Sequence, residues 1–235
     1  MKLHLFNSGT IIAWKHLLVR GAPKGVRITV PVPFYLIEHK NEFVLFDTGQ
    51  QIPEKIFTDD SPFIPQLTPE DRAVIQLKKY GIEPERIKYI ILSHHHADHS
   101  RGLTDFPGVP CVLRKEELEY SFMKRLIEQD SEREWIHPEG CLDLFGDGCV
   151  ISLPTPGHTL GHQSLLLRSD DHRRILLAAD AAYTEIALNQ TPPQEEKDEP
   201  HWQTIGMFRK FRNDGVQIIT GHDPEMWEAL QKQYP

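Results

Sequence analysis

The sequence predicts an α/β protein, or a layered α+β one, with helices packed outside sheets. Short apolar runs of strand length alternate with helical patterns along the chain. Several of those runs end on histidine or aspartate at a turn, as in "IKYIILSHHH", "ILLAAD" and "VQIITGH". The 39% of apolar residues among 235 suffices for a buried core, and the whole chain, 1–235, reads as one domain.

Taken in order, "RITVPVPFYLI" (27–37) and "EFVLF" (42–46) predict two strands joined by the polar "EHKNE" as a hairpin. The Pro- and Asp-rich "QQIPEKIFTDDSPFIPQ" (50–66) predicts a long loop, a candidate lid or pocket wall. "TPEDRAVIQLKKYG" (68–81) predicts a helix, with Thr68 as N-cap, Pro69 at the first helical position, acids in the first turn and Gly81 at the stop. "IKYIIL" (87–92) is an unbroken apolar strand that runs directly into a histidine cluster. Beyond it, "CVLRKEELEYSFMKRLI" predicts a strand and a helix, "CVISLPTPGHT" a strand and a turn, and "QSLLLRSDDHRRILLAAD" a hairpin turning at "SDDH". "HWQTIGMFRKFRNDG" predicts a helix, "VQIIT" a strand and "EMWEALQKQ" a terminal helix, while "QTPPQEEKDEP" (190–200) is an exposed loop.

Composition narrows the function. A net charge of −8 argues against a broad phosphate-binding surface, so nucleic acid is not expected as a partner. No run of about 18 apolar residues is present and Met1 to Thr10 lacks a basic stretch followed by an apolar core; neither a membrane span nor a secretion signal is expected, and the cytoplasm is the expected address. Cys111, Cys141 and Cys149 are scattered without a C-x-x-C pair, which disfavours a disulfide framework or a thiolate zinc knuckle.

"SHHHADHS" (93–100) carries four of the thirteen histidines. His94 and His96 are two apart, so on an extended segment their rings share a face and can meet one ion. Asp98 and His99 follow after the chain turns, and a second ion nearby is their natural recipient. His95 is expected to face away from both ions. Further ligand types stand at other strand ends: His158 after "CVISL", Asp180 after "ILLAA" and His222 after "VQIIT". Imidazole and carboxylate together suit divalent zinc, iron, manganese or cobalt.

These stretches, with "TPGHTLGHQS", "LLAADAAY", "TGHDP" and the upstream "VLFDTG", resemble the metallo-β-lactamase superfamily, and within it the N-acyl-homoserine lactone lactonases, from about residue 27 to 223. The resemblance implies an αβ/βα four-layer sandwich, two mixed sheets face to face with helices outside and metals at one edge. It implies His94, His96 and His158 on one ion and Asp98, His99 and His222 on the other, with Asp180 and a hydroxide bridging. Two divalent ions are the implied cofactors, zinc first, with iron, manganese or cobalt as alternatives. Asp47 would orient a ligand from behind. Tyr183 matches the tyrosine that in the lactonases reaches the substrate carbonyl oxygen, and Asp180 speaks against the cysteine-bearing β-lactamases. The family often has bulky apolar residues where this chain has His95 and Ala97. A homodimer is compatible with the resemblance.

The implied activity is hydrolysis of the lactone ring of N-acyl-homoserine lactones, the bridging hydroxide attacking the ester carbonyl. Tyr183 would stabilise the oxyanion and Asp98 would carry the proton to the leaving alkoxide. Ile52, Phe57, Phe63 and Ile64, with Ile11, Ile12 and Trp14, are candidate linings for the acyl tail. Simple γ-lactones or thioesters of the glyoxalase II type are alternative substrates; the basic C-terminal region of the thioester enzymes is not expected, since thirteen residues follow His222. From another class, a non-catalytic metal-binding module is the alternative.

Overall fold

The computed structural model describes residues 1–233, so the last two positions of the expected 1–235 domain lie outside the described residues. A 13-residue strand, β1 (Lys2–Trp14), leads into one helical turn, α1 (Lys15–Leu18). β2 (Arg27–His39) pairs antiparallel with β1, and β3 (Glu42–Phe46) antiparallel with β2. Their turn is Lys40 and Asn41, at φ of 51° and 66°, the left-handed pair that matches a two-residue hairpin to strand twist. The sheet continues through β4 (Phe63–Gln66), α2 (Ala73–Lys79), β5 (Ile87–Ile91), α3 (Ala97–Ser100), β6 (Cys111–Val112), α4 (Ser121–Gln129) and β7 (Trp135–Ile136). Its order is β4-β1-β2-β3-β5-β6-β7, antiparallel on the β1 side and parallel from β3 to β7. The second sheet comprises β8 (Leu142–Asp143), β9 (Val150–Pro154), β10 (Gln163–Arg168) and β11 (Arg174–Ala179). After α5 (Glu185–Asn189) and α6 (Pro200–Asn213), β12 (Gln217–Thr220) joins it, and α7 (Pro224–Gln233) follows. The order is β12-β11-β10-β9-β8, with only β11 and β12 parallel.

Alternation along the strands builds the layers. Tyr35, Ile37, Val44 and Phe46 face inward and pack on Leu165, Leu167, Ile175 and Leu177 of the second sheet. Phe34, Leu36, Leu45 and Ile90 face outward, under Val74 and Leu77 of α2 and Met123 and Leu126 of α4. On the far side, Leu176, Ala178 and Ile218 are covered by Trp202, Ile205 and Phe208 of α6. Helix, sheet, sheet and helix are the four layers of the αβ/βα sandwich. Each fully buried large side chain stabilises it by roughly 1.5–3 kcal/mol.

The structure departs most from the expected elements in three places. The helix over 68–81 is broken: Pro69–Asp71 forms a 3-10 turn and Arg72 turns extended (ψ 138°) before α2. The Arg72 guanidinium is drawn to the Asp105 carboxylate, an ion pair that would be lost in a continuous helix. The 50–66 loop ends as a strand, with Thr10 to Ala13 of β1 pairing with Phe63 to Gln66. β1 itself is the third, a long strand whose alternation is interrupted at Asn7 to Thr10, where the register shifts and Gly9 takes φ 77°.

Candidate active site

Five strand ends deliver the site. Asp47 and Thr48 follow β3, Ser93 to His99 follow β5, Thr155 to His158 follow β9, Asp180 follows β11, and Gly221 to Asp223 follow β12. Backbone hydrogen bonds tie these segments together: Thr48 N to His99 O at 2.8 Å, Gln163 N to Ser93 O at 2.9 Å and His222 N to Tyr183 O at 2.8 Å. Ala179, just before Asp180, is held at φ 46°, a left-handed conformation at the point where β11 and β12 lose register.

Seven expected ligand side chains meet there, in two groups. His94, His96, His158 and Asp180 offer ligand atoms within 4.8 Å of one another, and so do Asp98, His99 and His222. In the first group, His158 Nε2 stands 3.1 Å from His94 Nε2 and 2.9 Å from His96 Nδ1. Asp180 straddles the two groups. Its Oδ2 faces His158 Nε2 (3.3 Å) and His94 Nε2 (3.6 Å), and its Oδ1 faces His99 Nε2 and His222 Nε2, both at 3.1 Å. Asp98 Oδ2 closes the second group at 3.5 Å from His222 Nε2 and 3.6 Å from His99 Nε2.

The far nitrogens are held from behind. Asp47 Oδ2 lies 2.7 Å from His99 Nδ1, the Pro31 carbonyl 2.7 Å from His222 Nδ1, Ser93 Oγ 3.0 Å from His94 Nδ1 and the Tyr183 hydroxyl 3.1 Å from His158 Nδ1. Such contacts fix the tautomer and aim the other nitrogen inward. Burial first, then the charge of neighbouring histidines, lowers His94 and His158, and takes His96 down to about 4, so these rings are neutral, the state that binds metal. Burial alone would lift the Asp180 carboxyl, but His99 and His222 hold it well below the usual carboxylate range.

Divalent cations fit this constellation. Ligand atoms around a tetrahedral ion with bonds near 2.0–2.1 Å stand ~3.3 Å apart; the contacts named above run from 2.9 to 3.6 Å, and all ligand atoms of a group lie within 4.8 Å of one another. His99 Nε2 and Asp180 Oδ1 are buried with no hydrogen-bond partner, an arrangement costing about 1–3 kcal/mol per group unless something between them accepts both. Another ligand-type group, His39, Asp147 and Cys149, lacks this character. There His39 Nε2 and Lys40 Nζ already share Asp147 Oδ2, each at 2.7 Å. It reads as an ion-pair cluster at the hairpin ends.

A cavity of about 560 Å³ opens onto the site, a size typical for small-molecule ligands. Ile11, Ala13, Leu18, Phe57 and Phe63 make its apolar wall, and His96, Asp98, Asp180, Tyr183 and His222 its polar floor. Of the candidate tail-binding residues, Ile11, Phe57 and Phe63 line it; Ile52, Ile64, Ile12 and Trp14 do not. The period of two explains part of this: Ile12 and Ile64 are cross-strand partners between the cavity-facing pairs Ile11–Pro65 and Ala13–Phe63, and so point to the opposite face. Trp14 is occupied instead by the Arg27 guanidinium, 3.6 Å above its ring.

His95 faces away from the ligand groups. Its Nδ1 lies 2.5 Å from Glu117 Oε2, and its ring stacks on Tyr120 at 3.4 Å. Sequence reasoning missed Glu117, and also His162, a buried histidine whose ring lies 5.2 Å from that of His94 and whose Nε2 has no partner. The repeated "GH" of "PGHTLGH" was the signal for His162.

The sequence profile of the Metallo-beta-lactamase superfamily matches residues 27–222, the span that contains all seven ligand-type side chains of the two groups. The chain belongs to this superfamily. Among curated members it is 30% identical to the N-acyl homoserine lactonase AttM of Rhizobium johnstonii, over 99% of this chain and 97% of the relative. It is 34% identical to the N-acyl homoserine lactonase AiiA of Bacillus thuringiensis subsp. kurstaki, over 88% of this chain and 87% of that one. Among solved superfamily structures, an N-acyl homoserine lactone hydrolase with the product N-hexanoyl-L-homoserine at its catalytic metal center superposes with a TM-score of 0.81 at 27% identity, covering 97% of this chain and 95% of the other.

Proposed function

We propose that the protein is a dinuclear-metal hydrolase that opens the lactone ring of N-acyl-homoserine lactones. The observation that carries this reading is Asp180, one carboxylate oxygen toward each ligand group, on the floor of a cavity of about 560 Å³ with an apolar wall. The curated relatives named above are N-acyl homoserine lactonases, and the solved relative holds the product N-hexanoyl-L-homoserine at its catalytic metal center. His94, His96 and His158 would hold one ion and Asp98, His99 and His222 the other, with Asp180 between; zinc suits this donor set best. When bound, such a pair supplies a hydroxide near neutral pH and polarises the ester carbonyl.

The chain's own residues do the rest. Ile11, Ala13, Phe57 and Phe63 take the acyl tail and exclude water. Tyr183 stays protonated, because burial first and then Asp180 and Asp98 raise its hydroxyl, and so donates to the oxyanion that forms. Asp98, less buried than Asp180 and on the cavity floor, accepts the proton given up by the nucleophile and passes it to the leaving alkoxide. The proposal includes a single functional domain acting in the cytoplasm, where free thiols such as Cys111, Cys141 and Cys149 persist. No described helix is long and apolar enough to cross a membrane.

A substrate panel on zinc-reconstituted protein tests the reading: short- and long-chain acyl-homoserine lactones, γ-butyrolactone and a glutathione thioester, followed by proton release. Acyl-homoserine lactones should turn over fastest, chelation should abolish the signal and zinc should restore it. Faster thioester turnover, or metal uptake without any turnover, would overturn it.

A further inference from the structure

Glu117 has no exposed surface and no part in the chemistry above. It sits in the 3-10 turn Lys115–Glu119, outside both ligand groups. A carboxylate buried this deeply is tolerated only when its oxygens are well paired, and here they are paired across two loops. Oε2 accepts from the backbone N–H of His95 at 2.9 Å and lies 2.5 Å from His95 Nδ1, while Oε1 accepts from the backbone N–H of Gly161 at 2.8 Å. The first loop carries His94 and His96, the second His158. Glycine is needed at 161, since a Cβ there would stand 2.8 Å from Glu117 Oε1. Tyr120 stacks on the His95 ring at 3.4 Å and 10°, which fixes the direction of its Nδ1.

We propose that Glu117, acting through His95, is a positioning residue that clamps the two loops so that His94, His96 and His158 stay at ion-holding separation. This rests on the dinuclear reading but not on the identity of the substrate. An apolar residue at position 95 would keep the backbone contact and lose the ring donor; His95 gives this chain a second bond to the clamp.

Glu117→Gln tests it with little change of shape. A carboxylate accepts on both oxygens, whereas an amide accepts on one and donates from the other. Whichever way the amide turns, its NH2 group confronts a backbone N–H, that of Gly161 or that of His95, and one loop is released. Zinc affinities measured by chelator competition on the full-length protein should show one of the two ions weakened about tenfold or more and the other nearly unchanged, with turnover restored at saturating zinc. The melting temperature of the zinc-free protein should fall by only the few degrees that one unpaired buried N–H costs. His95→Phe keeps the stack on Tyr120 and loses only the ring donor, so it should weaken the same ion by less; it decides the matter if Glu117→Gln does not fold. Parent-like affinity for both ions in both variants overturns the clamp, as does equal weakening of both ions with a larger fall in melting temperature. A parent protein that binds two ions but opens no lactone defeats the proposed activity and leaves the clamp standing; one that binds no ions defeats both.

Discussion

Asp47 Oδ2 lies 2.7 Å from His99 Nδ1, and both residues are buried. The same carboxylate takes the Ser93 N–H at 2.7 Å and the Ser93 hydroxyl at 2.9 Å, so it fixes the start of the 93–99 loop as well as one of its rings. It also holds the proton of His99 on Nδ1 and leaves Nε2 free toward Asp180. Asp47→Asn should undo this. Asparagine tolerates the local φ of 61°, so the fold should survive. Its amide, turned to keep the Ser93 N–H bond, would donate to Nδ1 and move the ring proton to Nε2, the ligand position. Affinity for one of the two ions should fall by about 10–100-fold, measured by chelator competition. Unchanged affinity would mean that Asp47 serves only the backbone.

The turn after β3 depends on a close approach. A Cβ on Gly102 would meet the Thr48 carbonyl oxygen at 2.0 Å and its carbonyl carbon at 2.9 Å, and a backbone carbonyl cannot swing aside. Gly102→Ala should therefore destabilise the protein by about 1–3 kcal/mol, at roughly 2–4 °C of melting temperature per kcal/mol. Gly206 in α6 is the control, since a Cβ there meets nothing within 4 Å. Gly206→Ala should be stabilising by about 0.5–1 kcal/mol through helix propensity. A calorimetric scan of the two variants checks both signs; a tolerated Gly102→Ala would show that the turn can move.

What the sequence disclosed and what it hid divide along a physical line. His94, His96, His158, Asp180 and His222 were legible because each follows an apolar run, and strand ends gather where sheets stack. Tyr183 was legible only through its place three residues after Asp180. Glu117 and the Pro31 carbonyl carried no local signal, because they meet the ligand loops from a distant 3-10 turn and from within β2. The break at Arg72 was equally hidden: the capping pattern at Thr68 is real, with Asp71 accepting the Thr68 N–H at 2.6 Å, but the partner that ends the turn is Asp105, 33 residues on.

The thiols should differ in reactivity. Burial, the largest cause, pushes the Cys111 thiol from 9.0 up to about 12, while Cys141 is exposed. The nucleophile is the thiolate, so at pH 8 a disulfide reagent should label Cys141 quickly and leave Cys111 untouched until the chain unfolds. Because the folded value is the higher one, the stability that Cys111 contributes is full below pH 9.0 and is lost as pH rises toward about 12. Cys111→Ala should therefore flatten the alkaline fall in stability seen by denaturant titration. Rapid labelling of Cys111 in the native protein at pH 8 would mean that the β6–β7 end of the sheet opens easily.

Tyr183 separates two roles that one hydroxyl could play. It stands 3.1 Å from His158 Nδ1, where it steadies a ligand ring, and it also lines the cavity beside His96 and Asp180, where a substrate carbonyl would arrive. Tyr183→Phe keeps the ring, which packs against the cluster of Ile11, Ala13, Leu18 and Val30, and removes only the oxygen. If the hydroxyl donates to the developing oxyanion, kcat should fall by about 100-fold with KM and zinc content nearly unchanged. If it only steadies His158, zinc affinity should fall and saturating zinc should return kcat to the parent value. The oxyanion role is the expected outcome, because the hydroxyl lines the cavity with His96, Asp98 and Asp180, where the substrate carbonyl would arrive. A silent Tyr183→Phe, with both kcat and zinc affinity at parent values, would remove Tyr183 from the mechanism and leave the cations alone to stabilise the charge.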